Sequence, residues 1–184
     1  MFVRDQMTAP ALVISPGATA SSALAVMEKH KIRRLPVVND GKLVGIVTKS
    51  DLLGATGKSA AGPVKTVAQL MTPKPYAVQR DETLELAAGI MMTKHVSGLP
   101  VLDGDRVVGI LTESDLFRAL CQMFGFGEPG VRVVMSVDDG VDLLETIRHR
   151  LNRMTVRSLA TVHDPRRKVW DVVLRVRGRS AKVS

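Results

Sequence analysis

The chain has 184 residues, a formal net charge of +8 and 45% hydrophobic residues, enough for one large or two small globular domains. No apolar run reaches the ~18 residues that span a bilayer, and Arg4 and Asp5 interrupt the place where a secretion signal needs its apolar segment. Cys121 is the single cysteine, which excludes an intramolecular disulfide and a multi-cysteine metal site. We therefore expect a cytoplasmic protein without membrane contact, in which Cys121 is an ordinary buried thiol.

An internal duplication covers the first two thirds of the chain. An ungapped comparison at an offset of 64 residues aligns 3–53 with 67–117 and gives 16 identities in 51 positions. The most similar stretch, LVGIVTKSDLL at 43–53, returns as VVGILTESDLF at 107–117. Its apolar part is rich in β-branched residues and predicts a buried strand, and its polar part predicts the start of a helix.

Each copy is predicted to run strand, helix, strand, strand, helix. The first copy begins with Met-Thr at 7–8, followed by a short strand at 12–14 and a helix that Thr19 can cap. The next strand begins at Leu-Pro-Val, 35–37, with proline near the strand's start, where its missing N–H is tolerated. A hairpin at 39–41 then leads into the repeated strand and the final helix. The second copy repeats each of these features 64 residues later.

Candidate binding residues lie where the repeated strand meets the final helix. Thr48 and Asp51 recur as Thr112 and Asp115. A threonine at this position can cap the helix, and an acid in the first turn is favoured by the helix dipole. A carboxylate can also accept both hydroxyls of a ribose, and a threonine hydroxyl can bond a phosphate or a hydroxyl group. The pattern is therefore consistent with a helix cap and with a nucleoside site.

The ordered set Met-Thr, helix, Leu-Pro-Val and Gly-Ile-x-Thr-x-Ser-Asp, present twice at one offset, resembles the cystathionine β-synthase-type repeat, or CBS domain. Two such repeats in tandem resemble a Bateman module, over about residues 1–121. The resemblance implies an α+β fold with two βαββα repeats about a pseudo-twofold axis and two clefts for adenosine compounds. It also implies a regulatory protein without catalysis, which senses AMP, ADP, ATP, S-adenosylmethionine or NAD for a partner protein or domain.

Site residues follow from this resemblance and from the residue chemistry. Asp51 and Asp115 are predicted to bind the ribose. The residues assigned to phosphate or hydroxyl groups are Thr48, Thr112, Arg33, Arg34 and Lys49. The residues assigned to the base, through side chain or backbone, are Leu35, Pro36, Leu99, Pro100, Ser97 and Gly98. Copy one is the more basic here, so we expect a polyphosphate mainly in copy one, although these bases also suit a solvated helix end.

Residues 131–178 form a different unit with its own pattern. Apolar residues alternate over 131–137 and predict a strand, a helix can start at 138–140, and strands are predicted at 156–162 and 169–176. The residues predicted to share the helix's apolar face are Val141, Leu144, Ile147, Leu151 and Met154. This βαββ order resembles the first two thirds of an ACT domain, a regulatory unit that binds amino acids. Because its last helix and strand are missing, we expect a homodimer, through this unit or the CBS pair, more than amino-acid binding.

The predicted domains are repeat one at 1–55, a linker at 56–66, repeat two at 67–121, a linker at 122–130, the ACT-like unit at 131–178 and a tail at 179–184. From Arg148 onward the chain holds 11 of the 26 basic and two of the 18 acidic residues, which makes nucleic-acid binding the alternative function. Trp170 is the only aromatic residue there, and no helix-turn-helix spacing is present, so nucleic acid is the weaker prediction. No nucleophile-histidine grouping, phosphate-binding glycine loop or metal-ligand set appears, so we expect no enzyme, catalytic cofactor or metal.

Overall fold

A computed structural model describes residues 1–56, 65–151 and 154–178. Most of the predicted linker 56–66 and all of the predicted tail 179–184 lie outside the described residues. The chain divides into two compact units, Met1–Leu116 and Phe117–Ser184, and each is described by itself. In the part of the chain that is described, no helix is long and apolar enough to cross a membrane.

The first unit holds the two repeats. Its elements are a 3₁₀ helix at Val3–Asp5, α1 at Ala20–His30, β1 at Arg34–Asn39, β2 at Lys42–Thr48, α2 at Lys49–Thr56, α3 at Val67–Leu70, β3 at Thr72–Pro73, β4 at Val78–Gln79, α4 at Leu84–Lys94, β5 at Gly98–Asp103 and β6 at Arg106–Thr112. Helix α5, at Glu113–Met123, begins in the first unit and ends in the second. The strands form one sheet in the order β1-β2-β6-β5-β4, with β3 paired to β2. The predicted order βαββα is present in the second repeat, β4 to α5.

Helices α1 and α4 begin at the predicted caps. The Thr19 hydroxyl accepts a hydrogen bond from the Ser22 amide at 3.1 Å, and Thr83 accepts one from the Leu86 amide at 3.3 Å. These bonds satisfy first-turn N–H groups that have no partner within the helix. The same face of each helix is buried, at helical spacing; it consists of Ala20, Ala23 and Met27 in α1 and Leu84, Ala87 and Met91 in α4.

The two repeats are related by a pseudo-twofold axis, which the pairing between them shows. Strands β2 and β6 pair through Lys42 and Arg106, which are equivalent positions at the offset of 64. The isolated bridge between Phe2 and Thr83 has its counterpart in a bridge between Thr66 and Thr19. Each contact between the copies thus occurs twice, with the roles of the two copies exchanged. Reciprocal contacts of this kind define an isologous twofold interface.

The Met-Thr segments exchange between the repeats. Thr8, at the start of the first copy, bridges Ile110 in β6 of the second copy, and Thr72 pairs with Ile46 in β2 of the first copy. Each segment therefore completes the sheet beside the other repeat. Sequence order alone had placed each segment only with the copy that follows it.

The glycines of the repeated strand make this exchange possible. A Cβ on Gly45 would meet the Met71 side chain, with Cγ at 3.0 Å, and the Thr72 carbonyl oxygen at 3.1 Å. A Cβ on Gly109 would lie 2.6 Å from the Met7 sulfur. Glycine at both positions leaves room for the neighbouring segment, which crosses directly over the strand.

Three local predictions in or next to the repeats are wrong. The strand expected at 12–14 is reduced to one parallel bridge between Ile14 and Val37, and the counterpart at 76–78 begins only at Val78. Leu12 and Val13 are exposed, because only Ile14 reaches β1, where its N–H donates to the Pro36 carbonyl at 3.0 Å. Cys121 is exposed rather than buried, since it lies on the open side of α5.

The second unit has the predicted βαββ order. Its elements are β7 at Val131–Asp138, α6 at Leu143–Arg150, β8 at Met154–Asp164 and β9 at Val169–Gly178. The three strands form an antiparallel sheet in the order β7-β9-β8. The core of this sheet and α6 consists of Val137, Ile147, Leu151, Val172, Leu174 and Val176. Apolar alternation in β7 and β9 thus supplies one buried face of the sheet.

The start of α6 and its buried face differ from the prediction. The helix begins at Leu143, and its N-cap is Asp142, which accepts a hydrogen bond from the Glu145 amide at 2.9 Å. Residues 138–140 end β7 and form the turn before this cap. Leu144 is 70% exposed and Val141 49% exposed, because one helix on a three-stranded sheet buries only the face that carries Ile147 and Leu151.

Candidate functional site

The Thr48-Asp51 pair forms a closed hydrogen-bonded cap at the start of α2. The Thr48 amide donates to Asp51 Oδ2 at 2.8 Å, and the Thr48 hydroxyl donates to the same oxygen at 2.7 Å. The Asp51 amide lies 3.4 Å from the Thr48 hydroxyl oxygen. A carboxylate that accepts two bonds at the helix start satisfies backbone donors and complements the dipole, as in a capping box.

The second copy repeats this geometry. Asp115 Oδ2 accepts from the Thr112 amide at 2.9 Å and from the Thr112 hydroxyl at 2.7 Å. The two carboxylates nevertheless differ in exposure. Asp115 is 3% exposed, whereas Asp51 is only partly buried. Both copies therefore have the same cap, but the carboxylate is more accessible to solvent in the first copy.

These bonds limit what each group can offer a ligand. Oδ2 of Asp51 already accepts two hydrogen bonds, so Oδ1 is the oxygen that can receive ribose hydroxyls. The Thr48 hydroxyl uses its one proton in the hydrogen bond that it donates to Asp51, so toward a ligand it can accept a hydrogen bond but cannot donate a second one. Thr48 is thereby better suited to a ligand hydroxyl than to a phosphate.

Five of the six residues predicted to contact the base lie buried in strands β1 and β5, whereas Ser97 is exposed just before β5. Leu35 and Leu99 are fully buried, and Pro36 and Pro100 are buried beside them. The Pro36 carbonyl is already bonded to Ile14. Any contact of these four residues with a base would therefore use their remaining backbone groups and their van der Waals surface rather than polar side chains.

The predicted cations of copy one are not gathered in one place. Arg33 is exposed, and its carbonyl accepts from the Lys49 amide at 2.8 Å. The Lys49 ammonium lies 3.8 Å from Glu28 Oε1. Arg33 and Lys49 thus flank the start of α2 near Thr48, on the same repeat.

Arg34 is directed toward the other repeat. Its Nη2 donates to Ser97 Oγ at 2.8 Å, and its guanidinium lies against the backbone of Gly98, so that a Cβ there would meet Cζ at 3.0 Å. Burial lowers the pKa of Arg34, as does the Arg33 charge nearby, while Glu113 raises it. Sequence reasoning had placed Arg34 in one copy and Ser97-Gly98 in the other. At the offset of 64, Arg34 aligns with Gly98. The difference in size between these two equivalent residues was the sequence signal that could have predicted their contact.

Metal binding has no support in the described part of the chain, where no group of three His, Cys, Asp or Glu side chains could hold a metal ion.

In the second unit, a shallow concavity is lined by Asp138, Asp139, Gly140, Arg167 and Lys168. It lies at the turn that follows strand β7. Beside it, His163 Nε2 lies 3.1 Å from Asp139 Oδ2, and the His163 ring packs on Trp170 with centroids 4.7 Å apart.

The repeats can now be assigned to a family. The CBS domain family matches residues 3–58 and again residues 67–122, which together are more than half of the chain. The protein therefore belongs to the CBS domain family and carries a tandem CBS pair. The small sheet of the second unit lies outside both matches.

Known proteins resemble the chain over this pair. An L-aspartate semialdehyde sulfurtransferase of Methanocaldococcus jannaschii is 35% identical over 119 residues, which are 64% of this chain and 23% of that enzyme. Two homoserine O-acetyltransferases, from Methanocorpusculum labreanum and Methanohalobium evestigatum, are likewise covered to only 23% and 24%. This chain thus spans about a quarter of these enzymes, and the similarity covers only the CBS pair.

Two solved structures share the fold of the pair. The CBS pair of protein MJ0100, crystallised with 5′-methylthioadenosine and S-adenosyl-L-methionine, has a TM-score of 0.60 and 32% identity and covers 66% of this chain and 97% of that one. CBSX2 in complex with AMP, a protein of Arabidopsis thaliana, has a TM-score of 0.58 and 32% identity, over 66% of this chain and 96% of that one. Both neighbours bind adenosine-containing ligands.

Proposed function

We propose that this protein is a regulatory sensor that binds an adenosine-containing ligand in its CBS pair. The observation that carries the proposal is the Thr48-Asp51 cap, in which Oδ1 of a partly exposed carboxylate lies next to a threonine that can accept a hydrogen bond. That arrangement suits the two hydroxyls of a ribose. The bound AMP, 5′-methylthioadenosine and S-adenosylmethionine of the structural neighbours support the same ligand class.

The ligand's phosphate groups, where present, are proposed to lie toward Arg33 and Lys49. Both are cations on the first repeat at the start of α2, and the helix N-terminus adds backbone N–H groups that favour an anion. In the second copy Ser97 and Glu113 occupy these positions. AMP, ADP or ATP is therefore expected to bind copy one more tightly than copy two.

The proposed output is a change in the ACT-like unit or in a partner protein. A ligand moves such an equilibrium only by the difference in its affinity for the two arrangements. We further propose a homodimer, formed through the CBS pair, the ACT-like unit or both, because strand β8 is an edge strand whose apolar residues are exposed, among them Val156, Leu159 and Val162.

A thermal-shift series tests the ligand class. Melting is measured with AMP, ADP, ATP, S-adenosylmethionine and NAD, and Asp51→Ala serves as the variant. A ligand at about 100 times its dissociation constant stabilises the folded state by about 2.7 kcal/mol, and Asp51→Ala should remove that stabilisation. If none of the five compounds shifts the melting temperature of the wild type, the sensor proposal is wrong.

Nucleic-acid binding is the second candidate function, and one feature of the sheet in the second unit supports it. Arg132 on β7 and Arg175 on β9 are directly opposite each other, and like charges in this position repel unless an anion lies between them. Against it, Arg175 Nη1 donates to the Glu128 carbonyl at 2.8 Å, so this arginine already holds the preceding segment. Tight binding of a DNA duplex that weakens steeply with salt would favour this function instead.

A further inference from the structure

Arg34 lies on the pseudo-twofold axis of the CBS pair. At the offset of 64, the residue equivalent to Arg34 is Gly98, and the Arg34 side chain packs against Gly98 itself. A residue that contacts its own equivalent sits at the axis of a twofold arrangement. There is space for one long side chain here, because a Cβ on Gly98 would meet Nη1, Cζ and Cδ of Arg34, the last two at 3.0 and 3.1 Å.

The Arg34 backbone pairs with Thr48 beside the first cap, but its side chain is directed to the second copy. Gly98 pairs with Thr112 across strands β5 and β6, so the guanidinium rests on the residue next to the second Thr-Asp cap. The Ser97 hydroxyl accepts its hydrogen bond at 2.8 Å. Glu113, which begins the helix after Thr112, is close enough to raise the pKa of Arg34. The cation is thus bonded and partly neutralised by groups of the second copy.

No equivalent side chain reaches the first copy, because the residue equivalent to Arg34 is Gly98, which has no side chain. The cap of the first copy is also the more accessible one, since Asp51 is partly exposed while Asp115 is 3% exposed. Lys49 stands where the second copy has Glu113, so the helix after the first cap begins with a cation and the helix after the second cap with an anion, which favours an anionic ligand in the first cleft. Three independent features therefore point in the same direction.

We infer that Arg34 closes the second cleft from within, so that each chain binds a single adenosine ligand, in the first cleft. This inference rests on the proposed sensor function and adds its stoichiometry and the residue responsible. Held by Ser97 over Gly98, the Arg34 guanidinium lies on the residue that pairs with Thr112, where it would obstruct a ligand of the second cleft. A CBS pair with twofold-related backbones then acts as a one-site sensor.

Titration calorimetry with adenosine and with ADP tests the stoichiometry. The wild type should bind one molecule per chain. Asp51→Ala should weaken that binding at least ~10-fold, because hydrogen bonds to a charged group are lost, whereas Asp115→Ala should change it less than about 2-fold. Two equal sites in the wild type, or a loss on Asp115→Ala with none on Asp51→Ala, would overturn the inference and leave the sensor function standing. Absence of binding by any adenosine compound would overturn both.

A second set of variants tests Arg34 itself with adenosine, which carries no phosphate for Glu113 to repel. Arg34→Ala should raise the stoichiometry from one to two, and in the Asp51→Ala background it should restore one binding event per chain. Lys29→Ala is the charge-matched control, since Lys29 is an exposed cation on α1, and it should leave the stoichiometry at one. A stoichiometry that stays at one in Arg34→Ala, or a single site weakened 10-fold or more, would show that Arg34 does not close the second cleft.

Discussion

The two CBS repeats of this chain share their backbone and differ in a few polar side chains. Both have the same capped helices, the same crossing Met-Thr segment and the same Thr-Asp hydrogen bonds. They differ at Arg34 against Gly98, at Lys49 against Glu113, and in the exposure of the aspartate. The two repeats therefore have the same packing but different polar groups around their Thr-Asp caps. Measurements on variants can test both the equal packing of the two repeats and the difference between their polar groups.

The largest expected effect tests the equality of the cores. Leu35→Ala and Leu99→Ala remove equivalent side chains that are fully buried, so each should lower the free energy of unfolding by about 2–5 kcal/mol. Urea unfolding monitored by circular dichroism measures this. Leu86→Ala, on the 49% exposed Leu86, is the control and should cost far less. A loss in one repeat more than twice that in the other would contradict the equal packing.

A smaller effect separates the two caps. Asp115 is 3% exposed, so Asp115→Ala removes a buried carboxylate whose place water does not readily take, and it should cost about 2–3 kcal/mol. Asp51 is partly exposed, so water can replace its carboxylate after Asp51→Ala, and the cost should be about 1–2 kcal/mol. Ser50→Ala, an exposed residue in the same first turn, is the matched control. The measurement is again the unfolding free energy without ligand, and equal losses would argue against the difference in burial.

The crossing segments are tested by their glycines. Gly45→Ala and Gly109→Ala place a methyl group against Met71 and Met7, and each should destabilise by about 1–3 kcal/mol because the overlying backbone has little room to move. Gly89→Ala adds a Cβ on α4 that meets nothing within 4 Å and should stabilise by about 0.4–1 kcal/mol. If Gly45→Ala and Gly89→Ala gave the same sign, the exchange of segments would be in doubt.

The smallest effect concerns the axial contact. A double-mutant cycle on Arg34→Ala and Ser97→Ala should give a coupling of about 0.5–1 kcal/mol, the usual net contribution of a hydrogen bond. The cycle uses thermal or urea unfolding of the four proteins without ligand. A coupling of zero would mean that Ser97 does not hold Arg34 in place, and the two variants would then act independently.

Several features of the fold and site followed directly from the residues. Thr19 and Thr83 were identified as caps, and the Thr-Asp junctions were recognised as a pattern present twice, because capping and hairpin formation depend on neighbours within a few positions. The start of α6 was misplaced, since both 138–140 and Asp142 carry acceptors that can cap a helix. The exposure of Cys121 and Leu144 was also missed. A single helix on a three-stranded sheet covers fewer apolar residues than their periodicity indicates.

The sequence by itself determined the duplication, the order of elements in each repeat, the Thr-Asp pairs and the family they indicate, since all of these are local patterns or comparisons along the chain. Only the tertiary structure decided that the Met-Thr segments exchange between the repeats, that both caps use the same carboxylate oxygen, and that Arg34 lies over Gly98 at the axis. These contacts join residues that are 26 positions apart for Ile46 and Thr72, 64 for Arg34 and Gly98, and 102 for Thr8 and Ile110, or they depend on side-chain direction. The spacing of residues along the chain does not predict long-range contacts or side-chain directions, because both depend on how the folded elements pack against each other.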